Sequence, residues 1–495
     1  MAAVAVDAGT SMIKAVLFGD DGAEIVVSRR ATEVLRPRPG WAEQDMAAVW
    51  EAVVAAVREV LTHARDDVRF VALTAQGDGC WLVDEDGEPT GPAILWSDGR
   101  AAEVVEGWRR AGTAEKAFQL NGSLGFSGLP HAILTWLHEH DHARLSKSAT
   151  ALYCGGWLFS RCTGVRGADF SDASVPFLDP RARAYSPELL ALFGLDWAAR
   201  LLPEIIDHTA RSAPLTGEAA SRLGLAEGTP VVLAPYDVVS MAVGMGVTEP
   251  GQACTILGTT LCTEVVHDTV DTSGEPSGLT IVLDHGTDVL RAFPTLAGTE
   301  VLDWTTRMLG LDHPRELGAL AAGSPPGAHG LIFLPYLSPA GERAPFLDPY
   351  ARGTFWGLSL EHDRADLARA VFEGLSLVIR DCVAASSARV RDLRLCGGGA
   401  VSDLWCQLIA DVVGVPTARS ADTEVGARGA FLSGLVATGA EPDLAAASHH
   451  VRLASYWQPD PDRARHYTGL YGRFLELREI AAQGWRAGET TGPGA

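Results

Sequence analysis

Several segments of this chain place carboxylates, hydroxyls and glycines where predicted strands end. The first is Asp7-Ala8-Gly9-Thr10-Ser11, followed by Lys14. A Gly-Thr turn between two strands can expose backbone N–H groups and a hydroxyl to an anion, and an aspartate at the strand end can hold a hydrated Mg²⁺. Lys14 would add one local cation. The same pattern also occurs in ordinary hairpins, so the sequence leaves both interpretations open.

Glycine-rich turns recur in the second half of the chain. Gly258-Thr259-Thr260 in ILGTTLC is equivalent to the first turn, and two such turns favour a polyphosphate ligand more than one does, with two hairpins as the alternative. Farther on, Gly397-Gly398-Gly399 stand where a strand gives way to a helix. Glycines there let a flat ligand approach the backbone, although a tight turn is the other interpretation.

Two further aspartates follow buried strands. Asp237 stands between VVLAPY and an apolar helical segment, where it is either the N-cap of that helix or a general base for a substrate hydroxyl. Asp78 lies between Gly77 and Gly79 directly after RFVALTA. On its own this QGDG segment predicts either a turn or a place to hold a ligand.

Length and composition limit the class of protein. A chain of 495 residues predicts two domains. A net charge of −22 argues against binding to nucleic acid or to anionic membranes. Eight cysteines without a CxxC pair indicate reduced core thiols, and neither a signal peptide nor an apolar run of about 18 residues is evident. We therefore expect a cytoplasmic protein.

The elements that position these residues form a repeated pattern. Residues 3–6 and 13–18 read as two strands joined by a tight turn, followed by a helical segment and another strand. Strand, Gly-Thr turn and strand recur after residue 250. The pattern predicts a mixed α/β protein with related domains at 1–246 and 247–480, and a frayed tail at 481–495.

Taken in order, six segments resemble the motifs of the FGGY family of carbohydrate kinases over nearly the whole chain. They are DAGTSMIK, ILWSDGRA, YDVVSMAVGMG, ILGTT, GTFWGLSLEHDRADLARAVFEGL and LCGGGAVSDLWCQLIADVVGVPT. The resemblance implies an α/β, actin-like ATPase (ribonuclease H-like) fold, with two duplicated domains around a central cleft. It also implies ATP and Mg²⁺ as cofactors, and transfer of the γ-phosphoryl group to a primary hydroxyl of a small sugar or polyol.

The resemblance assigns roles to residues of this chain. Asp237 becomes the catalytic base, which orients the acceptor hydroxyl and takes its proton, and Asp7 becomes the metal-binding residue. The implied substrate contacts are Gln76, Asp78, Trp96, Asp98 and Asp237. The implied contacts to ATP are Thr10, Ser11, Lys14, Gly258, Thr259, Thr260, Gly397, Gly398 and Gly399.

The substrate expectation depends on where the chain departs from its relatives. Asp78 stands where xylulokinases usually have histidine and glycerol kinases have glutamate, and Val238 stands where many relatives have Asn or Gln. An ionised carboxylate only accepts hydrogen bonds, so Asp78 suits hydroxyl donors better than a ketone oxygen. The sequence around Asp78 is similar to the corresponding sequence in the erythritol kinase branch. This resemblance implies erythritol or a similar polyol as substrate.

Two alternatives stay open beside the polyol. One is a xylulokinase-like enzyme that acts on a pentulose. The other, from a different class, is an actin-like or Hsp70-like ATPase without a sugar acceptor. The expected partner is a small-molecule polyol or sugar, and neither nucleic acid nor a membrane is expected to bind. Many relatives form homodimers, so the resemblance also allows a homodimer.

Overall fold

The computed structural model describes residues 2–207, 209–283 and 286–487. The chain forms two compact units, and both are discontinuous in sequence. Unit 1 takes in the chain up to Thr248, then 268–290 and 424–452. Unit 2 takes in 249–267, 291–423 and the chain from Leu453 onward.

Strands and helices alternate along the described chain. The strands are β1 Ala2–Ala8, β2 Met12–Phe18, β3 Glu24–Ala31, β4 Glu43–Gln44, β5 Val68–Ala75, β6 Trp81–Val83, β7 Ala93–Ile94, β8 Thr150–Leu152, β9 Leu178–Asp179, β10 Ala184–Tyr185, β11 Ser212–Pro214, β12 Pro230–Leu233, β13 Gln252–Leu257, β14 Leu261–His267, β15 Leu279–Val282, β16 Val289–Pro294, β17 Ile332–Leu334, β18 Thr354–Trp356, β19 Asp392–Cys396, β20 Thr417–Ser420 and β21 Leu453–Trp457. The α-helices are α1 Met46–Leu61, α2 Ala102–Arg110, α3 Thr113–Asn121, α4 Pro130–His140, α5 His142–Lys147, α6 Cys154–Thr163, α7 Phe170–Ser174, α8 Pro187–Leu192, α9 Gly217–Leu223, α10 Asp237–Gly244, α11 Thr299–Met308, α12 Pro314–Ala321, α13 Arg364–Ala385, α14 Asp403–Val413, α15 Val425–Ala437, α16 Leu444–Ala447 and α17 Pro461–Ala487. Short 3₁₀ turns lie at Asp196–Leu201, Ala328–Gly330, Gly398–Val401 and Ser448–His450.

The sheet of unit 1 has the order β11-β12-β5-β1-β2-β3. Strand β1 pairs antiparallel with β2 and parallel with β5, and β5 pairs parallel with β12. Alternate strand residues point to opposite faces. Leu17 and Val71 pack in the core with α1, whereas their neighbours Phe18 and Phe70 stack on Phe431 of α15. Helices therefore cover both faces, which is why all seven residues of β1 are buried.

The sheet of unit 2 repeats this topology. Six of its strands run β16-β14-β13-β19-β20-β21. Strand β13 pairs antiparallel with β14 and parallel with β19, β19 pairs parallel with β20, and β21 closes the edge antiparallel, as β11 does in unit 1. The duplication predicted from the sequence is thus present in the strand order, and the turns at 9–11 and 258–260 are equivalent.

The units do not follow the linear division at 246/247. Residues 268–290 and 424–452 belong to unit 1, although they lie in the second half of the chain. The physical reason for the second stretch is α15, whose buried apolar residues pack against β1, β5 and α10. Helix α17 runs to Ala487, so 481–487 are helical where a frayed tail was expected, and 488–495 lie outside the described residues.

Two further expectations concern the state of the cysteines and the presence of a membrane-spanning helix. All eight cysteines are free thiols, and each is buried except Cys262, which is half-buried. Among the helices in the described ranges, none combines the length and the apolar content that spanning a bilayer requires.

Helix α15 contacts α10 almost backbone to backbone. A Cβ atom built on Gly429 of α15 would lie 1.8 Å from the carbonyl oxygen of Ser240 in α10. Only glycine allows this approach, and the contact fixes the helix that begins at Asp237.

We expect Gly429→Ala to destabilise unit 1 by about 1–3 kcal/mol, because the added methyl must push the two helices apart. The matched control is Gly107→Ala in α2, where an added Cβ meets no atom within 4 Å. Alanine has the higher helix propensity, so this control should be neutral or stabilising by up to about 1 kcal/mol. Urea unfolding measures both, and equal effects of the two changes would contradict the close packing of α10 and α15.

Candidate active site

The first turn of unit 1 carries a shared ion pair. Lys14 Nζ lies 3.2 Å from Asp7 Oδ2 and 3.2 Å from Glu424 Oε2, and Arg29 also pairs with Glu424. Burial raises the pKa of Asp7 and outweighs the opposing effect of Lys14. Burial would lower the pKa of Lys14, but Asp7 and Glu424 raise it overall. Lys14 is therefore a firmly charged ammonium beside the turn.

The hydroxyl of Thr10 connects this turn to two predicted substrate residues. Thr10 donates to Gln76 Oε1 at 2.7 Å and accepts from the indole N–H of Trp96 at 2.9 Å. Gln44 donates to the Thr10 carbonyl at 2.7 Å and accepts from Gln76 at 2.8 Å. The network brings three predicted residues together and adds Gln44. Ser11 is exposed at the tip of the turn.

Asp237 is the first residue of α10, and Tyr236 takes the N-cap position. The carboxylate of Asp237 accepts the N–H of Val238 at 2.8 Å on Oδ1, and the backbone N–H of Gly77 also donates to it. Tyr236 in turn donates its N–H to Ser171 Oγ at 3.0 Å. The N-cap interpretation of Asp237 is therefore not supported, and its carboxylate is oriented by two backbone donors.

The electrostatic surroundings raise the pKa of Asp237 to about 7. Loss of solvation is the largest cause, and the charges of Asp7 and Asp78 act in the same direction. The two backbone N–H groups oppose them without cancelling them. A carboxyl group with this pKa can take up a proton near neutral pH, as a general base must.

Asp78 is held in an uncommon conformation between two glycines that packing requires. A Cβ on Gly77 would lie 2.1 Å from the ring of Tyr236, and one on Gly79 would lie 2.6 Å from the Ile94 carbonyl oxygen. Asp78 itself has a φ of 57°, in the left-handed region that non-glycine residues rarely adopt. Such a conformation costs on the order of 1–3 kcal/mol and is typical of functional sites.

Asp172 in α7 is a site residue that the sequence did not single out. Its side chain is buried, and its Oδ1 accepts no hydrogen bond within the described residues. Burial, together with the charges of Asp169, Asp78 and Asp237, raises its pKa well above the usual range. A buried carboxyl oxygen without a donor indicates a place for a ligand hydrogen bond. The segment ADFSDAS offered two aspartates but no recognisable motif to mark either of them.

Asp98 does not fit its predicted role as a substrate contact. Its two oxygens accept four hydrogen bonds, three from Arg100 at 2.8 Å each and one from the N–H of Ala42 at 2.6 Å. The side chain is 1% exposed. Donors within the protein therefore already occupy both oxygens of this carboxylate. Asp98 shapes the loop after Trp96, and neither oxygen is left to bind a hydroxyl of the substrate.

Unit 2 contains a cavity of about 710 Å³ beside the predicted glycine segment. Gly398 and Gly399 line it, together with Leu302, Phe372 and Trp405. A Cβ on Gly399 would lie 2.5 Å from the Trp405 ring, whereas one on Gly398 would meet no atom within 4 Å. Because residue 398 is a glycine, no side chain occupies the open space at this part of the cavity wall. Gly397 is not among the lining residues.

The second glycine-threonine turn adjoins this cavity. Thr259 and Thr260 are exposed. The N–H of Thr299, another lining residue, donates to the Gly258 carbonyl at 2.9 Å. Unit 2 thus places the predicted turn and two of the three predicted glycines around one cavity.

Comparisons with known proteins agree along nearly the whole chain. The model of the FGGY family of carbohydrate kinases, N-terminal domain, matches residues 2–244, and the C-terminal domain model matches 253–438. The erythritol kinase of Brucella abortus (strain 2308) is 33% identical over 97% of this chain and 96% of its own length. The L-xylulose/3-keto-L-gulonate kinase of Escherichia coli (strain K12) is 32% identical over 97% of each. The crystal structure of xylulose kinase from Rhodospirillum rubrum, 28% identical, matches with a TM-score of 0.90 and covers 98% of this chain and 100% of that one.

The raised pKa of Asp237 predicts that Asp237→Asn stabilises the protein more at pH 8 than at pH 5.5. The folded protein binds this proton more tightly than the unfolded chain, whose pKa is about 3.9, so ionisation costs stability as pH rises toward about 7. Asparagine removes that cost. Thermal unfolding at both pH values measures the gain in Tm.

The matched control is Asp98→Asn, which removes a buried charge from the ion pair with Arg100. This change should lower Tm at both pH values. A gain for Asp237→Asn that did not depend on pH would contradict the raised pKa.

Proposed function

The chain belongs to the FGGY family of carbohydrate kinases, with the actin-like ATPase fold, and from this premise we propose that its acceptor is a small polyol, with erythritol as the leading candidate. Members of the family are carbohydrate kinases, so the chain is a sugar or polyol kinase and not an ATPase without an acceptor. The observation that carries the choice of acceptor is the group of interacting carboxyl groups Asp78, Asp172 and Asp237 in unit 1.

A polyol complements this group chemically. Each hydroxyl of a polyol can donate a hydrogen bond, and an ionised carboxylate can only accept. A ketone oxygen cannot donate a hydrogen bond to whichever of these carboxyl groups is ionised. The relative named erythritol kinase, 33% identical over nearly the full length, supports the same choice.

In the proposed reaction Asp237 orients the primary hydroxyl of the acceptor and takes its proton. Val238 and Gly77 hold the carboxylate through their N–H groups, with Val238 on Oδ1. A pKa of about 7 keeps a large ionised fraction at neutral pH and still permits protonation during transfer. Asp78 would accept hydrogen bonds from the other hydroxyls, and Asp172, whose raised pKa favours the protonated form, would accept one on Oδ1. Phosphoryl transfer asks mainly for such placement and for charge neutralisation.

Asp7 is the residue that we propose for Mg²⁺. A Cβ on Gly426 would lie 3.0 Å from Asp7 Oδ2, so glycine leaves space beside the carboxylate. The charges of Glu424 and Asp237 interact with that of Asp7, and a divalent cation suits such a set of oxygens. Mg²⁺ would neutralise charge on the phosphates. Lys14 and the exposed Ser11 would hold them from the protein side.

The donor of the phosphoryl group is ATP, as the family implies. In unit 2 we propose the cavity beside Gly398 and Gly399 for the adenosine. Its wall is mostly apolar, with Leu302 and Trp405 on it, as a purine ring requires. Thr259 and Thr260, at the adjoining turn, would contact phosphates.

One observation favours a second candidate, a kinase of a pentulose. The relative from Escherichia coli is named for L-xylulose and 3-keto-L-gulonate, and its identity of 32% is nearly as high. Asp78 weighs against a ketose, because an ionised carboxylate accepts hydrogen bonds and a ketone oxygen cannot donate one. The acceptor must therefore be tested directly.

The test is ATP turnover with a panel of acceptors: erythritol, other tetritols, pentitols, glycerol, xylulose, ribulose and gluconate. We expect kcat/KM for erythritol or another polyol to exceed that for every ketose at least about tenfold, the discrimination that one unpaired buried polar group supplies. Asp78→His should lower kcat/KM for the polyol about tenfold or more and leave KM for ATP nearly unchanged. A ketose as best acceptor would contradict the polyol proposal and leave the kinase assignment intact.

Two variants serve as controls for this panel. Asp86→His makes the same change on an exposed residue of the nearby loop and should leave both constants unchanged. Asp237→Asn should lose turnover with every acceptor by about 10²–10⁴-fold, since it removes the base. Substantial turnover by Asp237→Asn would contradict the assignment of the base.

A further inference from the structure

Three side chains of unit 1 that have no part in the proposed kinase reaction converge after α15. Glu441 Oε1 lies 3.7 Å from Nε2 of His449 and 3.7 Å from Nε2 of His450. One ligand atom from each residue lies within 4.8 Å of the other two. Carboxylate and imidazole groups at such spacing are the ligands of transition-metal sites in proteins.

Hydrogen bonds of the two rings determine which nitrogens carry protons. His449 Nδ1 lies 2.7 Å from the carbonyl oxygen of Ala446, and a carbonyl can only accept, so Nδ1 carries the hydrogen. The ring of His450 donates to the backbone carbonyl of Asp21. Its Nδ1 edge faces that turn, because a Cβ on Gly22 would lie 2.8 Å from Nδ1. In the neutral form of each ring the Nε2 atom therefore presents a lone pair.

The converging atoms are thus all acceptors. Two Nε2 lone pairs and a carboxylate oxygen repel one another unless a cation stands between them.

We propose that Glu441, His449 and His450 bind a divalent transition-metal ion, with zinc the best match to two imidazoles and one carboxylate. Bonds of about 2.0–2.1 Å in a tetrahedral site separate the ligand atoms by about 3.3 Å. The two observed distances of 3.7 Å from Glu441 to the histidines exceed this value by only a few tenths of an ångström. His449 is largely exposed, which leaves the fourth position to water.

The surroundings support the ligands in the way that metal sites require. Each histidine donates its other ring N–H to a backbone carbonyl, which fixes the orientation of the ring and the tautomer. The bound ion would tie the segment after α15 to the β2–β3 turn through His450. The charge of Arg428, which donates to the Gly22 carbonyl, opposes a cation, and the Glu441 carboxylate offsets it.

The test is calorimetric titration of the untagged, metal-stripped, full-length protein with zinc chloride. We expect one equivalent to bind with a Kd in the micromolar range or below. His449→Ala and Glu441→Gln should each weaken binding at least about tenfold, and Co²⁺ in place of zinc should give the visible absorption of a tetrahedral site. Because His449 is exposed, its variant should fold and retain kinase turnover.

The matched control is the double variant His138→Ala, His142→Ala, which removes another histidine pair, with ring centroids 5.3 Å apart. It should keep the zinc affinity of the unmodified protein. The proposal is overturned if zinc fails to bind at micromolar concentration, if His449→Ala binds as tightly as the unmodified protein, or if the control loses the affinity.

Discussion

Mutual repulsion among the carboxyl groups of Asp7, Asp78, Asp172 and Asp237 is the constraint on which the active side of unit 1 depends. Burial raises the pKa of Asp7, Asp172 and Asp237, and each is raised further by at least one neighbouring carboxylate. Such a group is costly to ionise unless donors or cations come to it. Lys14 supplies one cation. Acceptor hydroxyls and Mg²⁺ are the partners that the proposed reaction would bring.

The surrounding structure keeps these groups from moving apart. The loop before α10 is fixed by Thr74, whose hydroxyl donates to the Pro235 carbonyl at 2.7 Å, and by Ser171, which accepts the N–H of Tyr236. Gly77 lets the Tyr236 ring pack against its backbone and donates its N–H to Asp237. Close packing of α15 on α10 holds the helix itself. The fold thus holds the carboxyl groups close together, so that a proton, a cation or a hydrogen-bond donor must offset each charge.

Much of the fold and of the candidate site could be predicted from the sequence, because strand ends and glycine turns are local signals. Asp7, Lys14 and Asp237 stood out in this way, and the repeated pattern predicted two related sheets. Glu424, which shares Lys14 with Asp7, could not be found, because it comes from a part of the chain that folds back into unit 1. The spacing of WSDGR likewise could not show that Arg100 fills the oxygens of Asp98.

The most direct measurement is the number of protons released when erythritol binds near pH 7, obtained by calorimetry in two buffers with different ionisation enthalpies. Hydroxyl donors should stabilise the ionised carboxylates, lower the raised pKa of Asp237 and release part of a proton to the buffer. We expect a measurable release in the unmodified protein and a smaller one in Asp237→Asn. Binding without any change in protonation would contradict it.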